Sequence, residues 1–251
     1  MKKILLAVQF SRFDQPQAMA LARLMADLEP GKSTRADLLF SFRPGMIQDA
    51  DSILYCARKF QTFTLTGKQL GSGWPVGCNT QMFETYQHYC SMTARGKWDY
   101  AAMMLIEPDC VPLRPTWIKE LQEEWHEGNQ LVLGPWQGFE DAGIEHINGN
   151  LMISHLFLRK VRNFLACSPK WGWDTEFAPQ LLAHGRASRL IWSDYKLGSE
   201  VNPWRGCDFL FAPKKYRDPR HPLLGQDLQP CWFHGIKTMK GLECIREKLL
   251  S

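Results

Sequence analysis

The stretch YAAMMLIEPDCVPL, residues 100–113, decides how the fold is interpreted. Its first part, Tyr100–Ile106, is an almost wholly apolar run with the length of a buried strand. The run stops at Glu107 and Asp109, two acidic residues on either side of Pro108. Burying an unpaired carboxylate is costly, so acids at the end of a buried strand indicate that a ligand or a cation pairs with them.

Outward from this stretch, apolar strand-like runs alternate with segments of helical periodicity. The predicted strands are Ile4–Phe10, Ala36–Phe42, Phe60–Thr66 and Tyr100–Ile106, and the predicted helices lie within residues 14–31, 47–59 and 79–95. This alternation predicts an α/β fold with a central, mostly parallel sheet flanked by helices. In such sheets ligands bind outside the carboxyl ends of the strands, which is where the two acids lie.

The second half of the sequence has a weaker pattern. Helices are predicted at 115–127 and 175–184, strands at 130–133, 147–153 and 189–192, and loops or irregular structure at 134–143 and 204–229. We find no internal repeat and no low-complexity tract. We therefore expect a single domain over residues 1–251, in which 1–113 bind a nucleotide and 114–251 bind the second substrate.

The composition is that of an ordered globular protein, with 251 residues, 45% of them hydrophobic, and a formal net charge of +4. That charge is well below the dense basic stripe of a dedicated nucleic-acid-binding protein. No run approaches the roughly 18 apolar residues of a membrane helix, and the start of the chain lacks the apolar core of a signal peptide. Eight scattered cysteines without a CxxC pair indicate free thiols. We expect a cytoplasmic protein that does not insert into membranes.

Glu107 and Asp109 are two residues apart, and in an extended segment their side chains would point the same way, with about 7 Å between the Cα atoms. Two carboxylates so placed can share a hard divalent cation such as Mg²⁺ or Mn²⁺, which prefers oxygen ligands and leaves positions for phosphate oxygens. The alternative is a solvated turn in which Asp and Pro simply end a strand.

A second motif lies near the other end of the chain, where CWFHGIKTMKGL (residues 231–242) contains His234 and Lys237. Together, the strand–helix alternation, the acid-x-acid motif after an apolar strand and the His-Gly-x-Lys motif resemble the nucleotide-sugar-dependent glycosyltransferases of the GT-A fold. The resemblance covers most of the chain as a pattern of elements. The motif in that family is usually DxD, and Glu107 departs from it at the first position.

The resemblance implies roles for these residues. Asp109 would bind Mn²⁺ or Mg²⁺, and Glu107 would contact the metal or the ribose of the nucleotide. His234 would complete the metal shell, and Lys237 would contact the diphosphate. It further implies a nucleoside-diphosphate sugar as donor, with a UDP-sugar favoured, bound by residues 1–113, and an acceptor hydroxyl bound by residues 114–251.

Three further segments carry candidate site residues. In HINGNLMIS (146–154), Asn148 and Asn150 are predicted to bond sugar hydroxyls, since the resemblance brings this segment beside the donor sugar; an Asn-Gly hairpin turn is the alternative. In WGWDTEF (171–177), the resemblance makes Asp174 or Glu176 the candidate general base, with Asp174 preferred; an Asp174 N-cap is the alternative.

The third segment, GSGWPVGCN, precedes the predicted helix 79–95. Asn79 is predicted to cap that helix and to line the donor nucleotide. Arg43, just after the second strand, is a candidate contact to the nucleobase or a phosphate. An ordinary loop is the alternative in both places.

One segment bears on the identity of the acceptor. KKYRDPRHP (214–222) concentrates positive charge in a predicted loop. Its cations, Lys214, Lys215, Arg217 and Arg220, could bind a polyanion, or the loop could simply be solvated. We favour slightly a modified base in DNA, as in phage-type DNA-modifying glycosyltransferases, over a polysaccharide precursor. Two other classes stay open: a sugar-phosphate nucleotidyltransferase, although residues 9–14 lack its Gly-rich basic signature, and a non-catalytic nucleic-acid-binding protein with this fold.

Overall fold

The computed structural model describes residues 1–46, 48–68, 73–139, 144–164, 170–215 and 221–251. The strands are β1 (Lys3–Phe10), β2 (Ala36–Phe42), β3 (Thr62–Thr66), β4 (Tyr100–Ile106), β5 (Cys110–Pro112), β6 (Val132–Gly134), β7 (Trp136–Phe139), β8 (Ile144–Ile147), β9 (Met152–Ile153), β10 (Gly185–Ala187), β11 (Ile191–Ser193), β12 (Lys214–Lys215), β13 (Asp227–Leu228) and β14 (Trp232–His234). The helices are α1 (Gln15–Leu28), α2 (Ala50–Ala57), α3 (Val76–Ala94), α4 (Trp117–His126), α5 (Phe157–Lys160), α6 (Trp173–Glu176), α7 (Ala178–His184), α8 (Tyr195–Ser199), α9 (Asp208–Phe211) and α10 (Met239–Leu250).

The central sheet has seven strands in the order β10-β6-β9-β4-β1-β2-β3. β1 pairs in parallel with both β2 and β4, and β2 pairs in parallel with β3. The short β9 runs antiparallel to both β4 and β6. The predicted α/β fold with a mostly parallel sheet flanked by helices is therefore confirmed.

β1, β2 and β4, at the centre of this sheet, are buried on both faces, which explains why they are mostly apolar runs in the sequence. Successive residues of β1 enter different core clusters: Ile4, Leu6 and Val8 pack on one face, and Leu5 and Ala7 on the other. Residues from both the first and the second half of the chain contribute to each cluster. Among the described residues, no helix combines the length and the apolar character needed to cross a bilayer.

A second, three-stranded sheet has the order β11-β14-β5. β14 runs antiparallel to β5, so that His234 lies opposite Cys110, and it runs parallel to β11, so that His234 lies beside Ser193. Because β5 follows β4 after a short turn, this pairing brings the C-terminal motif to the carboxyl end of β4.

Several predictions for the second half were wrong in detail. The segment 134–143, predicted as a loop, contains the end of β6 and all of β7, although residues 140–143 lie outside the described ranges. The single strand predicted at 147–153 is two elements, since β8 pairs with β7 while β9 enters the central sheet. The helix predicted at 175–184 is divided at Phe177 into α6 and α7. Elements this short carry too few residues for a periodic signal.

Candidate functional site

Glu107 and Asp109 lie in a tight turn between β4 and β5. The Glu107 carbonyl oxygen accepts a hydrogen bond from the backbone N–H of Cys110 at 3.1 Å, and Pro108 occupies the position where a turn favours proline. The segment is therefore a turn and is not extended as predicted, but it is not the solvated turn of the alternative, because the Asp109 side chain is only 13% exposed. The two carboxylates nevertheless converge, because the turn folds them toward β14.

His234 completes a three-residue cluster with these acids. Its Nε2 lies 3.3 Å from Glu107 Oε2 and 3.2 Å from Asp109 Oδ1. One potential ligand atom from each residue lies within 4.8 Å of the others. The backbone fixes this approach, since the N–H groups of Gly235 and Ile236 both donate to the carbonyl oxygen of Asp109, at 3.0 and 2.8 Å.

Gly235 allows the chain to turn sharply after His234. Its φ is +133°, a value that side-chain-bearing residues rarely adopt, and a Cβ atom there would lie 2.7 Å from the carbonyl oxygen of Asp194. The glycine of the His-Gly-x-Lys motif is thus required by the path of the backbone that carries His234 and Lys237 to the acids.

The donor set fits a hard divalent cation. Asp109 Oδ1 is buried, and within the described part of the chain no group makes a hydrogen bond of normal geometry to it. Two carboxylates and an imidazole are ligands that Mn²⁺ accepts, and the half-exposed Glu107 leaves an open side to the cluster. These observations meet the requirements of a metal site held by Glu107, Asp109 and His234.

The electrostatics of the cluster are those of tightly paired charges. Burial alone would lower the pKa of His234, but the carboxylates of Asp109 and Glu107 outweigh burial and raise it. Burial alone would likewise raise the pKa of Asp109, but His234 and Lys237 lower it below the usual range. The two acids therefore favour a positive charge beside them, and in this structure His234 and Lys237 provide it.

Lys237 is a second positively charged residue beside Asp109, in addition to His234. Its Nζ donates to Asp109 Oδ2 and lies 4.1 Å from the centre of the Tyr195 ring. The lysine side chain is half exposed, so it faces solvent as well as the acid.

The cluster opens into a cleft of about 260 Å³. Glu107, Asp109 and Lys237 line it, together with Gly149 and Trp173 from the second half of the chain. Polar side chains from the end of β1 and from α1 line it too: Gln9, Asp14 and Gln17. A neighbouring cavity of about 370 Å³ is lined by Arg43 together with Arg12 and Phe13, so the predicted nucleotide contact lies near the cleft but outside it.

The structure places Asn150 beneath Glu107. The Asn150 Oδ1 atom accepts from the backbone N–H of Glu107 at 2.9 Å, and its Nδ2 donates to Glu107 Oε2 at 3.2 Å. Its Nδ2 also donates to Asn148 Oδ1 at 3.2 Å, and the residue is fully buried. The Asn150 amide is therefore occupied by protein groups and positions Glu107. The hairpin-turn alternative is wrong, because β8 and β9, on either side of Asn148–Asn150, pair with other strands.

Asp174, on α6, lies against Gly149 and does not itself line the cleft. Its Oδ2 accepts from the backbone N–H of Gly149 at 2.8 Å and lies 3.8 Å from His146 Nε2. Burial raises its pKa, and the nearby His146 offsets this effect in part. Gly172 is the N-cap of α6, so the N-cap alternative for Asp174 is wrong. Glu176 is exposed and does not line the cleft.

The sequence predicted that Asn79 caps its helix, and this prediction is wrong. Helix α3 begins at Val76 with Pro75 as its N-cap, one turn earlier than predicted, so Asn79 lies inside the first turn. Its side chain donates to the Trp171 carbonyl oxygen at 2.7 Å and accepts from the Trp173 N–H at 2.9 Å. Asn79 thereby fastens the segment that carries Asp174 to α3.

Sequence reasoning missed three residues around His234. Ser193 Oγ lies 2.8 Å from His234 Nδ1, Tyr195 OH lies 3.3 Å from its Nε2, and Gln137 Nε2 donates to Ser193 Oγ at 2.7 Å. They come from β7, β11 and α8, and no motif marks them. The pairing of β11 with β14, which the sequence did not predict, brings Ser193 and Tyr195 to His234, and Gln137 reaches the group through Ser193.

The basic segment 214–222 is described in part. Lys214 donates to the carbonyl oxygen of Phe209, and Lys215 pairs with Asp227 at 3.3 Å. Arg217 and Arg220 lie outside the described residues. Both described lysines are therefore engaged within the protein.

Comparison with known proteins places this geometry in a recognised fold. No protein-family model matches the sequence, and no curated protein matches it. Among solved structures, the chain is similar to the glycosyltransferase GlyE of Streptococcus pneumoniae TIGR4, with a TM-score of 0.53 and 11% identity over 96% of this chain. It is also similar to the galactosyltransferase LgtC in complex with donor and acceptor sugar analogues, with a TM-score of 0.53 and 10% identity over 98% of this chain.

The chain spans 56% of the length of GlyE and 96% of the length of LgtC. It also matches the structure of an active-site mutant of LgtC, with a TM-score of 0.53 and 12% identity. The likeness is one of fold: this protein has the GT-A fold that these glycosyltransferases share, and the resemblance found in the sequence is confirmed at that level.

Proposed function

We propose that the protein is a metal-dependent glycosyltransferase that moves a sugar from a nucleoside-diphosphate sugar to a hydroxyl acceptor. One observation carries the proposal: Glu107, Asp109 and His234 converge at the carboxyl end of β4, beside a cleft, in a fold shared with GlyE and LgtC. That edge of a parallel sheet is where such folds bind ligands.

Each residue of the cluster has a distinct task in this proposal. Asp109 and His234 hold a divalent cation, Mn²⁺ or Mg²⁺, and Glu107 binds the metal or the ribose. When bound, the metal stabilises the negative charge that grows on the departing nucleoside diphosphate. Lys237, an ammonium at the cleft wall, offsets phosphate charge that the metal leaves unpaired.

The donor and the acceptor enter from different sides. The LgtC structure holds donor and acceptor sugar analogues, which supports a nucleotide-sugar donor here, with a UDP-sugar favoured. Arg43, lining the neighbouring cavity at the end of β2, would contact the nucleobase or a phosphate. Asn79, Asn148 and Asn150 would act by positioning the walls of the cleft, because their amides bond to the protein.

Asp174 is the candidate general base. Its raised pKa moves a carboxylate toward the range in which it accepts a proton at neutral pH. The bond from the Gly149 N–H holds it behind a glycine that lines the cleft. An acceptor hydroxyl above Gly149 would lose its proton to Asp174 while attacking the sugar carbon.

The test is a binding and turnover series with the intact chain. UDP should raise the melting temperature with Mn²⁺ present and not without it, because a ligand of the native state stabilises it. UDP-sugar hydrolysis should need Mn²⁺; its absence under all metals would refute a transferase. Pyrophosphate release from a sugar phosphate and a nucleoside triphosphate would instead identify a nucleotidyltransferase.

The acceptor requires its own comparison. DNA with hydroxylated bases, for which we have a slight preference, and a polysaccharide precursor are offered in parallel with the same radiolabelled donor. Label in DNA supports the first; label in the precursor supports the second. Binding of DNA without UDP-sugar turnover would favour a nucleic-acid-binding protein.

A further inference from the structure

A closed ring of polar side chains runs through Glu107 and His234, two of the three residues of the proposed metal site. Asn150 Nδ2 donates to Glu107 Oε2 at 3.2 Å and to Asn148 Oδ1 at 3.2 Å. Asn148 Nδ2 donates in turn to Gln137 Oε1 at 3.1 Å. The ring continues from Gln137 through Ser193 to His234, whose Nε2 returns to Glu107.

A metal bound at Nε2 would fix the tautomer of the His234 imidazole. His234 Nε2 faces both acids, so the nitrogen that would bind a metal is Nε2 and its lone pair must be free. The remaining ring proton must then lie on Nδ1, which is 2.8 Å from Ser193 Oγ. A hydroxyl oxygen has two lone pairs, so Ser193 can accept from His234 Nδ1 and from Gln137 Nε2 together.

The ring also joins parts of the fold that no common sheet holds together. Gln137 belongs to the β7–β8 hairpin, and Ser193 and His234 are neighbours in the sheet β11-β14-β5. His234 is fully buried, so water cannot replace a hydrogen bond that the ring would lose in another orientation.

We propose that Gln137 and Ser193 are positioning residues, which hold His234 with Nδ1 protonated and Nε2 aimed at the metal. This inference rests on the metal site of the proposed function. Hydrogen-bond partners behind a metal-binding histidine typically change metal affinity by roughly 10- to 100-fold when they are removed. Neither residue touches the metal or the substrate in this arrangement; each acts through His234.

The experiment measures the dissociation constant of Mn²⁺ alone by calorimetry, with the intact chain. Ser193→Ala should weaken Mn²⁺ binding roughly 10-fold or more, and Gln137→Met should weaken it less. Ser193→Thr, which keeps the hydroxyl, should restore binding to near the wild-type value. Ser199→Ala is the matched control, because the hydroxyl of that exposed serine donates to the nearby carbonyl oxygen of Lys196.

A double-mutant cycle separates positioning from a general structural role. In a His234→Ala background, Ser193→Ala should change Mn²⁺ affinity no further, since the residue through which it acts is gone. An equal loss in both backgrounds, or wild-type affinity for Ser193→Ala, would overturn this inference while leaving the metal site intact. Absence of Mn²⁺ binding by the wild-type chain would overturn both proposals.

Discussion

The ammonium of Lys237 bonds Oδ2 of Asp109 while the imidazole of His234 lies 3.2 Å from Oδ1 of the same carboxylate. Asp109 is therefore held from both sides by groups from one short segment of the chain. A cation that binds Asp109 must compete with Lys237, whereas a diphosphate would attract Lys237 away from the acid.

Lys237→Met should consequently have opposite effects on two ligands. Mn²⁺ alone should bind more tightly, by a few-fold, because a competing cation is removed. UDP in the presence of Mn²⁺ should bind roughly tenfold more weakly, equivalent to about 1.4 kcal/mol, because the diphosphate loses a partner. Calorimetry on both ligands measures this, with the exposed Lys240→Met as control. Weaker Mn²⁺ binding by the variant would contradict the competition.

Asp109→Asn should abolish metal-dependent UDP binding and leave the fold intact. An amide keeps the shape of the side chain but removes the charge that attracts a divalent cation. Calorimetry with UDP and Mn²⁺ checks binding, and circular dichroism checks the fold. Asp99→Asn, which alters an exposed acid paired with Lys2, serves as control. Undiminished Mn²⁺ and UDP binding would refute the assignment of the site.

Asp174→Asn should lower kcat by about 10²- to 10⁴-fold, the range for loss of a general base. The dissociation constant for UDP with Mn²⁺ should change less than about threefold, since Asp174 belongs to the proposed acceptor side. Steady-state kinetics and calorimetry give the two values. Glu176→Gln, in the same short helix but exposed, is the matched control, and equal kcat losses in both variants would exclude Asp174 as the base.

The stability of α2 should depend on the charge of its N-cap residue. Asp49 accepts from the Ser52 backbone N–H at 2.9 Å and from its hydroxyl at 2.7 Å, and these bonds lower the pKa of Asp49 below its ordinary value of 3.8. A depressed pKa means that the stabilisation is present above the unfolded value and is lost as pH falls through the folded one.

Asp49→Ala should therefore lower the free energy of unfolding by about 1 kcal/mol at pH 7. The difference from the wild type should shrink as pH falls below 3.8. Urea unfolding at several pH values measures it. Asp51→Ala, in the first turn of the same helix but without a capping bond, should cost less, about 0.3 kcal/mol. A difference that stays constant at acid pH would argue against a charged cap.

The sequence predicts much of the first half of the fold well because β1, β2 and β4 are buried on both faces. Ala36–Phe42 and Tyr100–Ile106 match β2 and β4 at both ends, since a mostly apolar run leaves little freedom in where a strand ends. The second half is built from strands of two to four residues, such as β9 and β14, whose partners lie far away in the chain. Local pattern cannot find such pairs.

The candidate site likewise contains some residues that the sequence reveals and others that it does not. The acids and the His-Gly-x-Lys motif stand out because charged and metal-binding residue types adjoin apolar strands. Ser193 and Gln137 do not, because a serine and a glutamine in short strands have no distinctive neighbours in sequence, and their relation to His234 comes from the pairing of β11 with β14. The prediction that Asn79 caps its helix was wrong because α3 already begins at Val76.

The antiparallel pairing of β14 with β5 has a consequence for biosynthesis. Both acids leave the ribosome long before His234 does, so a nascent chain lacks the third proposed ligand until β14 can add to the edge of β5. A fragment ending before residue 231 would retain the whole β1-β2-β3-β4 unit and both carboxylates. We expect such a fragment to be unable to bind the proposed metal, so that metal binding would have to wait until β14 has been made and has paired with β5.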